Sequence, residues 1–163
     1  MEEEVLQQVD RERIVEVACN LANIVSITGE EEEVAKYLGG EFEKLGMQVE
    51  YQYVEDGRPN VVGTLKGTGG GATLMFNAHM DHFDNPQETV VDDDRIYGRG
   101  LANMKAASPC YIEAVAALQR AGAKLKGDLI IAGVVGEIEK AQVGRVQGKT
   151  YRGAGVGARY LMD

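Results

Sequence analysis

Two continuous apolar runs constrain this chain most: ATLMFNA at residues 72–78 and DLIIAGVV at residues 128–135. Neither alternates polar with apolar side chains. Each therefore reads as a strand buried on both faces, with ATLMFNA the central one. Strands of that kind need helices to cover them, and helical patterns lie between the strands. Ile14, Val17, Ala18, Leu21 and Ala22 recur at helical spacing within a helix expected over residues 3–24. Thr28 with Glu31 fits a capping box, and acids crowd the turn that follows. Val34, Tyr37, Leu38, Phe42 and Leu45 make that second helix's apolar stripe, despite Gly39–Gly40, and Gly46 ends it. A third helix is expected from about 104 or 106 to 121, closed by Gly122, with Pro109 in its first turn or kinking it.

The remaining segments read as strands and turns. Met47, Val49, Tyr51 and Tyr53 alternate with polar residues as a half-buried strand, EDGRPN is a turn, and residues 61–66 are a second strand. GTGGG is expected to be a hairpin turn, residues 90–97 a further strand, and the last fifteen residues a loop and the start of a helix. Helices and strands alternate, so the fold class is α/β.

At 163 residues the chain fits one ordinary domain. No run is apolar enough to span a membrane, and the acidic start, MEEEVLQQVD, is unlike a signal peptide, so the cytoplasm is the expected location. Cys19 and Cys110 are expected to be reduced, buried thiols. Residues 1–50 carry the whole net charge of −9. Those acids read as a solvated face and argue against nucleic acid as a partner.

Three clusters could carry chemistry, and two follow the buried strands directly. NAHMDHFDN (77–85) holds both histidines of the chain. His79 and Asp81 lie two apart, on one side if the strand continues, and a carboxylate beside a histidine can fix its tautomer and orient it toward a metal. VVGEIEKAQ (134–142) places Glu137 and Glu139 at the end of the second strand. The carboxyl ends of such strands are where α/β proteins build sites. A polar loop capping a strand and a pair of surface glutamates are the plain alternatives. The third cluster is YGRGLANMKAA (97–107), whose core reads G-x-G-x-x-N. Strand before and helix after suit a dinucleotide-binding turn, but its third glycine and the later acid are absent.

In this order SITGEEEEVAKYL, PNVVGTLKG, MFNAHMDH, DDDRIYGRGLANMKAA and GDLIIAGVVGE resemble the dinuclear-metal amidohydrolase family of aminoacylase, acetylornithine deacetylase, succinyl-diaminopimelate desuccinylase and glutamate carboxypeptidase. The resemblance implies a mixed sheet flanked by helices, the amino-terminal part of a zinc-peptidase catalytic domain. Residues 1–163 would form one partial domain without the family's lid and dimerisation domain. It implies His79 as a metal ligand, Asp81 as its supporting catalytic carboxylate, and Asn103 where an aspartate bridges two metals. Glu137 matches the general base, with Ile138 in place of a metal-binding glutamate. Shifted by one residue, Glu137 would instead be the ligand, with Gly136 in the base position. Glu139 is wrongly spaced for a simple swap.

The implied reaction is hydrolysis of an N-acyl amino acid or small peptide with zinc or cobalt. Neutral Asn103 and apolar Ile138 point to one ion rather than two, and to an impaired or incomplete activity. Relatives continue with a further metal-binding acid and a final histidine, so either a complementing chain is expected to supply them or the chain is a truncated relative, and an unfinished sheet edge would invite self-association. The readings of other classes are a non-catalytic homologue that binds a ligand or partner protein, and a nucleotide-binding module using Gly98 and Gly100.

Overall fold

The computed structural model describes residues 2–139 and 153–163. Residues 140–142 of VVGEIEKAQ and residues 149–152 of the last fifteen lie outside them. The first helical pattern is split into α1 (Glu2–Leu6) and α2 (Arg11–Asn23). Asp10 causes the break. Its extended backbone leaves the helix so that its carboxylate can accept the Arg13 N–H at 3.1 Å, an N-cap inside the expected 3–24 run. Val17, Ala18, Leu21 and Ala22 of α2 are buried, as their spacing requires.

The capping box is also corrected. Helix α3 (Glu32–Lys44) starts after Glu31 with no side-chain cap, because Thr28 and Glu31 bond elsewhere. Gly39 belongs in α3 for a packing reason. A Cβ there would lie 2.0 Å from the Tyr51 hydroxyl, so a larger residue would have to push the end of that side chain aside.

β1 (Gln48–Glu55) and β2 (Arg58–Leu65) form an antiparallel hairpin. Arg58, Pro59 and Asn60 belong to β2 rather than to the EDGRPN turn, and Arg58 and Asn60 are fully buried. Next come β3 (Leu74–His79), a small hairpin of β4 (Val90–Asp92) and β5 (Arg95–Tyr97), α4 (Ala107–Arg120), β6 (Leu129–Val134) and α5 (Val156–Met162). Pro109 lies in the first turn of α4, where its missing N–H costs nothing.

The main sheet is mixed, in the order β1-β2-β6-β3, with β6 antiparallel to β2 and parallel to β3. Two expectations fall with this order. GTGGG is no hairpin turn, because β6 is inserted between β2 and β3. The loop instead crosses below β6, bonding from Thr68 and Gly69 N–H to the Leu125 and Lys126 carbonyls. ATLMFNA is not central. Among the described residues β3 is an edge, and Leu74, Met75 and Phe76 are exposed. Phe76 stacks on Tyr111 of α4 with ring centroids 4.9 Å apart.

The two faces divide the apolar residues by strand parity. Val61 and Ile131 join Val17, Leu38, Phe42 and Ile112 under α2, α3 and α4. Val62, Ala132 and Val134 pack on the opposite face with Ala158 and Leu161 of α5. The acids of residues 1–50 are not all solvated: Glu31 and Glu41 are buried. Cys19 is half-buried and Cys110 exposed, both free, so burial of Cys110 was wrongly expected. It sits on the outer side of α4. Among the described residues no helix is long and apolar enough to cross a membrane.

At the opposite end of the sheet from the strand-end clusters, Asp128 accepts from Lys66 Nζ at 2.7 Å and from the Gly67 N–H at 3.0 Å. The Lys66 bond, then the Gly67 bond, hold its carboxyl below the usual range. A depressed folded value means that this contribution to stability is present above the ordinary carboxylate pKa and lost as pH falls through the folded one. Carbon-detected NMR titration should find Asp128 below that ordinary value, and Lys66→Ala should move it back up.

Candidate functional site

β3 and β6 run parallel in register, with His79 opposite Val134, so the segments after both strands leave the same sheet edge. That topology brings His79, Asp81 and Glu137 together. His79 is the last residue of β3 and is 5% exposed. Asp81 is fully buried two residues later. Its carboxylate accepts the Thr28 hydroxyl at 2.6 Å, the Ile138 N–H at 2.9 Å and the Glu137 N–H at 3.0 Å. One buried carboxylate thus ties three segments together. Burial works to raise its pKa, but these donors and His79 outweigh burial and hold it below the usual value.

Asn103 arrives from the third cluster. Gly100 takes a left-handed φ of 70°, and a Cβ there would lie 2.9 Å from the His82 Cβ. After it, residues Leu101–Lys105 form a wide turn closed by Lys105 N–H to Gly100 O and Ala106 N–H to Leu101 O. Within the turn Asn103 is extended, with φ −149° and ψ 95°. Helix α4 begins only at Ala107, so its N-terminus is not next to the glycines, as a phosphate site on this turn would need.

The three electron-pair donors then meet. His79 Nδ1 faces the Asp81 carbonyl oxygen at 3.1 Å and the Asp81 carboxylate at 3.3 Å, which places a hydrogen on Nδ1. His79 Nε2 lies 3.0 Å from Asn103 Oδ1, to which it donates when the ring carries its second proton, and 3.8 Å from a Glu137 carboxylate oxygen. Burial lowers the His79 pKa, yet the bonds to Asp81 and Asn103 prevail and raise it. A divalent cation would satisfy the same electron pairs. Of this donor set, imidazole nitrogen and carboxylate oxygen are ordinary zinc or cobalt ligands, while the amide oxygen of Asn103 is a harder, neutral donor. Among the described residues no three His, Cys, Asp or Glu side chains converge on one point, so the set depends on the amide of Asn103.

Glu137 keeps 39% of its side chain exposed, open to solvent beside the buried ring. Ile138 is buried, whereas Glu139 is half-buried.

Three supporting residues escaped the sequence reading. His82 accepts the Ser26 N–H on Nε2 at 3.0 Å, so that nitrogen is not free to bind a metal. Burial, with Lys105 and Arg99 nearby, lowers its pKa and keeps it neutral. Lys105 is 1% exposed and donates to the Leu21 and Ile24 carbonyls at 2.9 and 2.8 Å, closing the end of α2. Burial pushes its pKa down to about 7. Thr28 was read as a helix cap, although its partner is 53 residues away. Only tertiary contact could reveal that.

The sequence profile described as Peptidase family M20/M25/M40 matches residues 75–149, which include His79, Asp81, Asn103 and Glu137. The N-formyl-4-amino-5-aminomethyl-2-methylpyrimidine deformylase of Bacillus subtilis (strain 168) is 32% identical over 117 residues, 65% of this chain and 28% of the deformylase. The succinyl-diaminopimelate desuccinylase of Rickettsia typhi is 28% identical over 107 residues, 58% of this chain and 28% of that enzyme. Among solved structures, aminopeptidase PepT from Bacillus cereus superposes with a TM-score of 0.69 at 28% identity, over 80% of this chain and 38% of PepT. The chain thus spans less than a third of the length of these two curated relatives. In its strand-end motifs and in its fold this chain is similar to the M20/M25/M40 peptidase family, whose profile it matches over residues 75–149.

Proposed function

We propose that the chain carries part of the active site of a metal-dependent hydrolase of amide bonds, acting on N-acyl amino acids or small peptides. The observation that carries this reading is the convergence of His79 Nε2, Asn103 Oδ1 and Glu137 Oε2, within 3.0 and 3.8 Å of the imidazole nitrogen, at one sheet edge. The relatives' names add N-formyl, N-succinyl and peptide substrates, all of them amides.

In this reading His79 and Asn103 hold one zinc or cobalt ion, and Asp81 fixes the imidazole so that its Nε2 stays a lone-pair donor. The ion, when bound, supplies Lewis-acid polarisation of the amide carbonyl and a more acidic water. Glu137, partly exposed on the solvent side of His79, takes the proton of the attacking water and returns it to the leaving amine. Neutral Asn103 contributes one oxygen where an aspartate would share its charge between two ions, which favours one ion over two.

Calorimetric titration with zinc or cobalt tests the site. His79→Ala should abolish binding. Asn103→Asp should tighten it at least tenfold, about 1.4 kcal/mol. An unchanged affinity in that variant would show that Asn103 does not face the ion. Absence of both metal binding and turnover of acyl-amino acids or peptides would favour the non-catalytic homologue instead.

A further inference from the structure

We propose that Thr28 is a positioning residue of this site, acting through Asp81 on His79. The inference rests on the metal-site reading above. Thr28 is fully buried, and its hydroxyl donates to Asp81 Oδ2 at 2.6 Å, the shortest of the bonds to that carboxylate. The segment that carries it is laced to the strand-end segment on both sides of the contact. The Ser26 hydroxyl donates to the Met80 carbonyl at 2.7 Å, the Ser26 N–H donates to His82 Nε2 at 3.0 Å, and the His82 N–H donates to the Ser26 carbonyl at 3.0 Å. Ile27 forms a parallel bridge with His82. Thr28 is therefore aimed by backbone pairing, not by its own rotamer alone.

The effect on the carboxylate follows from counting donors at each oxygen. Oδ2 receives Thr28 and the Ile138 N–H, while the Glu137 N–H is shared between both oxygens. Oδ1 is left facing His79 Nδ1 at 3.3 Å. Removing the hydroxyl leaves the carboxylate to the Glu137 and Ile138 N–H groups alone, which loosens its setting about the Cβ–Cγ bond and so the oxygen that supports the imidazole. An outer group of this kind sets the direction and basicity of a ligand that it never touches. Thr28 would thereby link the start of α3 to the aim of the His79 ring.

The test uses the full chain with Thr28→Val, which keeps the shape and removes the hydroxyl, Thr28→Ala as a second deletion, and Thr28→Ser as the conservative rescue. Cobalt is the probe, read by its visible absorption spectrum and by calorimetry. Both deletions should weaken cobalt binding about 10–100-fold and alter the spectrum, while Thr28→Ser stays within about threefold of the parent. In cation-free protein, the amide signals of Glu137 and Ile138 and the His79 ring signals should shift together in Thr28→Val and not in Thr28→Ser. Equal cobalt affinity in parent and Thr28→Val would overturn the inference, as would unmoved His79 ring signals. If the parent itself binds no cobalt, the metal-site reading fails, and the NMR comparison alone decides whether Thr28 positions the ring.

Discussion

Arg58→Met is expected to destabilise the protein by about 3–5 kcal/mol, because it leaves a buried carboxylate unpaired. Arg58 and Glu31 have side chains 1% and 0% exposed, joined by two parallel bonds of 2.8 and 2.9 Å. Arg58 also reaches Glu55 at 2.9 Å. Breaking such a pair is far costlier than never having built it. Arg58→Met with Glu31→Leu should therefore recover most of the loss. Urea unfolding followed by circular dichroism measures both, and a lowered midpoint with an unchanged slope identifies a pure stability change.

The same variant carries a pH signature. Burial already raises the Glu31 pKa, more strongly than Arg58 lowers it. Without Arg58 it rises further. A carboxyl raised in the folded state stabilises that state below its unfolded pKa, and this contribution is lost as pH rises through the folded value. The deficit of Arg58→Met should be smallest in acid and grow toward neutral pH. A deficit independent of pH would mean that Glu31 finds another partner.

Asp81→Ala is the second large effect expected. It strips the acceptor from the Thr28 hydroxyl and from the Glu137 and Ile138 N–H groups at once. Each buried donor left without a partner costs about 1–3 kcal/mol, so a loss of roughly 3 kcal/mol or more follows. This side chain joins the loop after β6 to the loop after β3, so metal binding should disappear with it. Hydrogen exchange at Glu137 and Ile138 separates the two consequences. Fast exchange at these amides in an otherwise protected sheet shows that the strand-end loops have parted. Unchanged exchange would mean that their N–H groups have acceptors other than Asp81.

The residues just discussed differ in how far the sequence revealed them. His79 and Asp81 stood out because a histidine and an aspartate two apart follow an apolar strand, and Glu137 because it follows another. The turn around Asn103 was visible from its glycines. Arg58, Thr28 and Lys105 were not visible at all. Each reads locally as part of a turn, a cap or a helix start, since its partner lies far along the chain. Glu31 was misread for the same reason: a run of four glutamates suggests a solvated helix start, and nothing local shows that one of them turns inward to an arginine.

Local patterning alone determined the α/β class, the existence of the two apolar strands, the apolar stripes of α2 and α3, and the strand-end positions of the candidate ligands. These depend on periodicity and on chemistry within a few residues, which a sequence displays directly. Tertiary structure alone decided the strand order that inserts β6 between β2 and β3, leaves β3 at the described edge and turns GTGGG into a crossover. It also decided which oxygen of Asp81 faces His79 and which faces Thr28. Strand order is set by long-range burial, and hydrogen-bond partnership by the meeting of groups 50 or more residues apart, as Thr28 and Asp81 do. No local pattern encodes either.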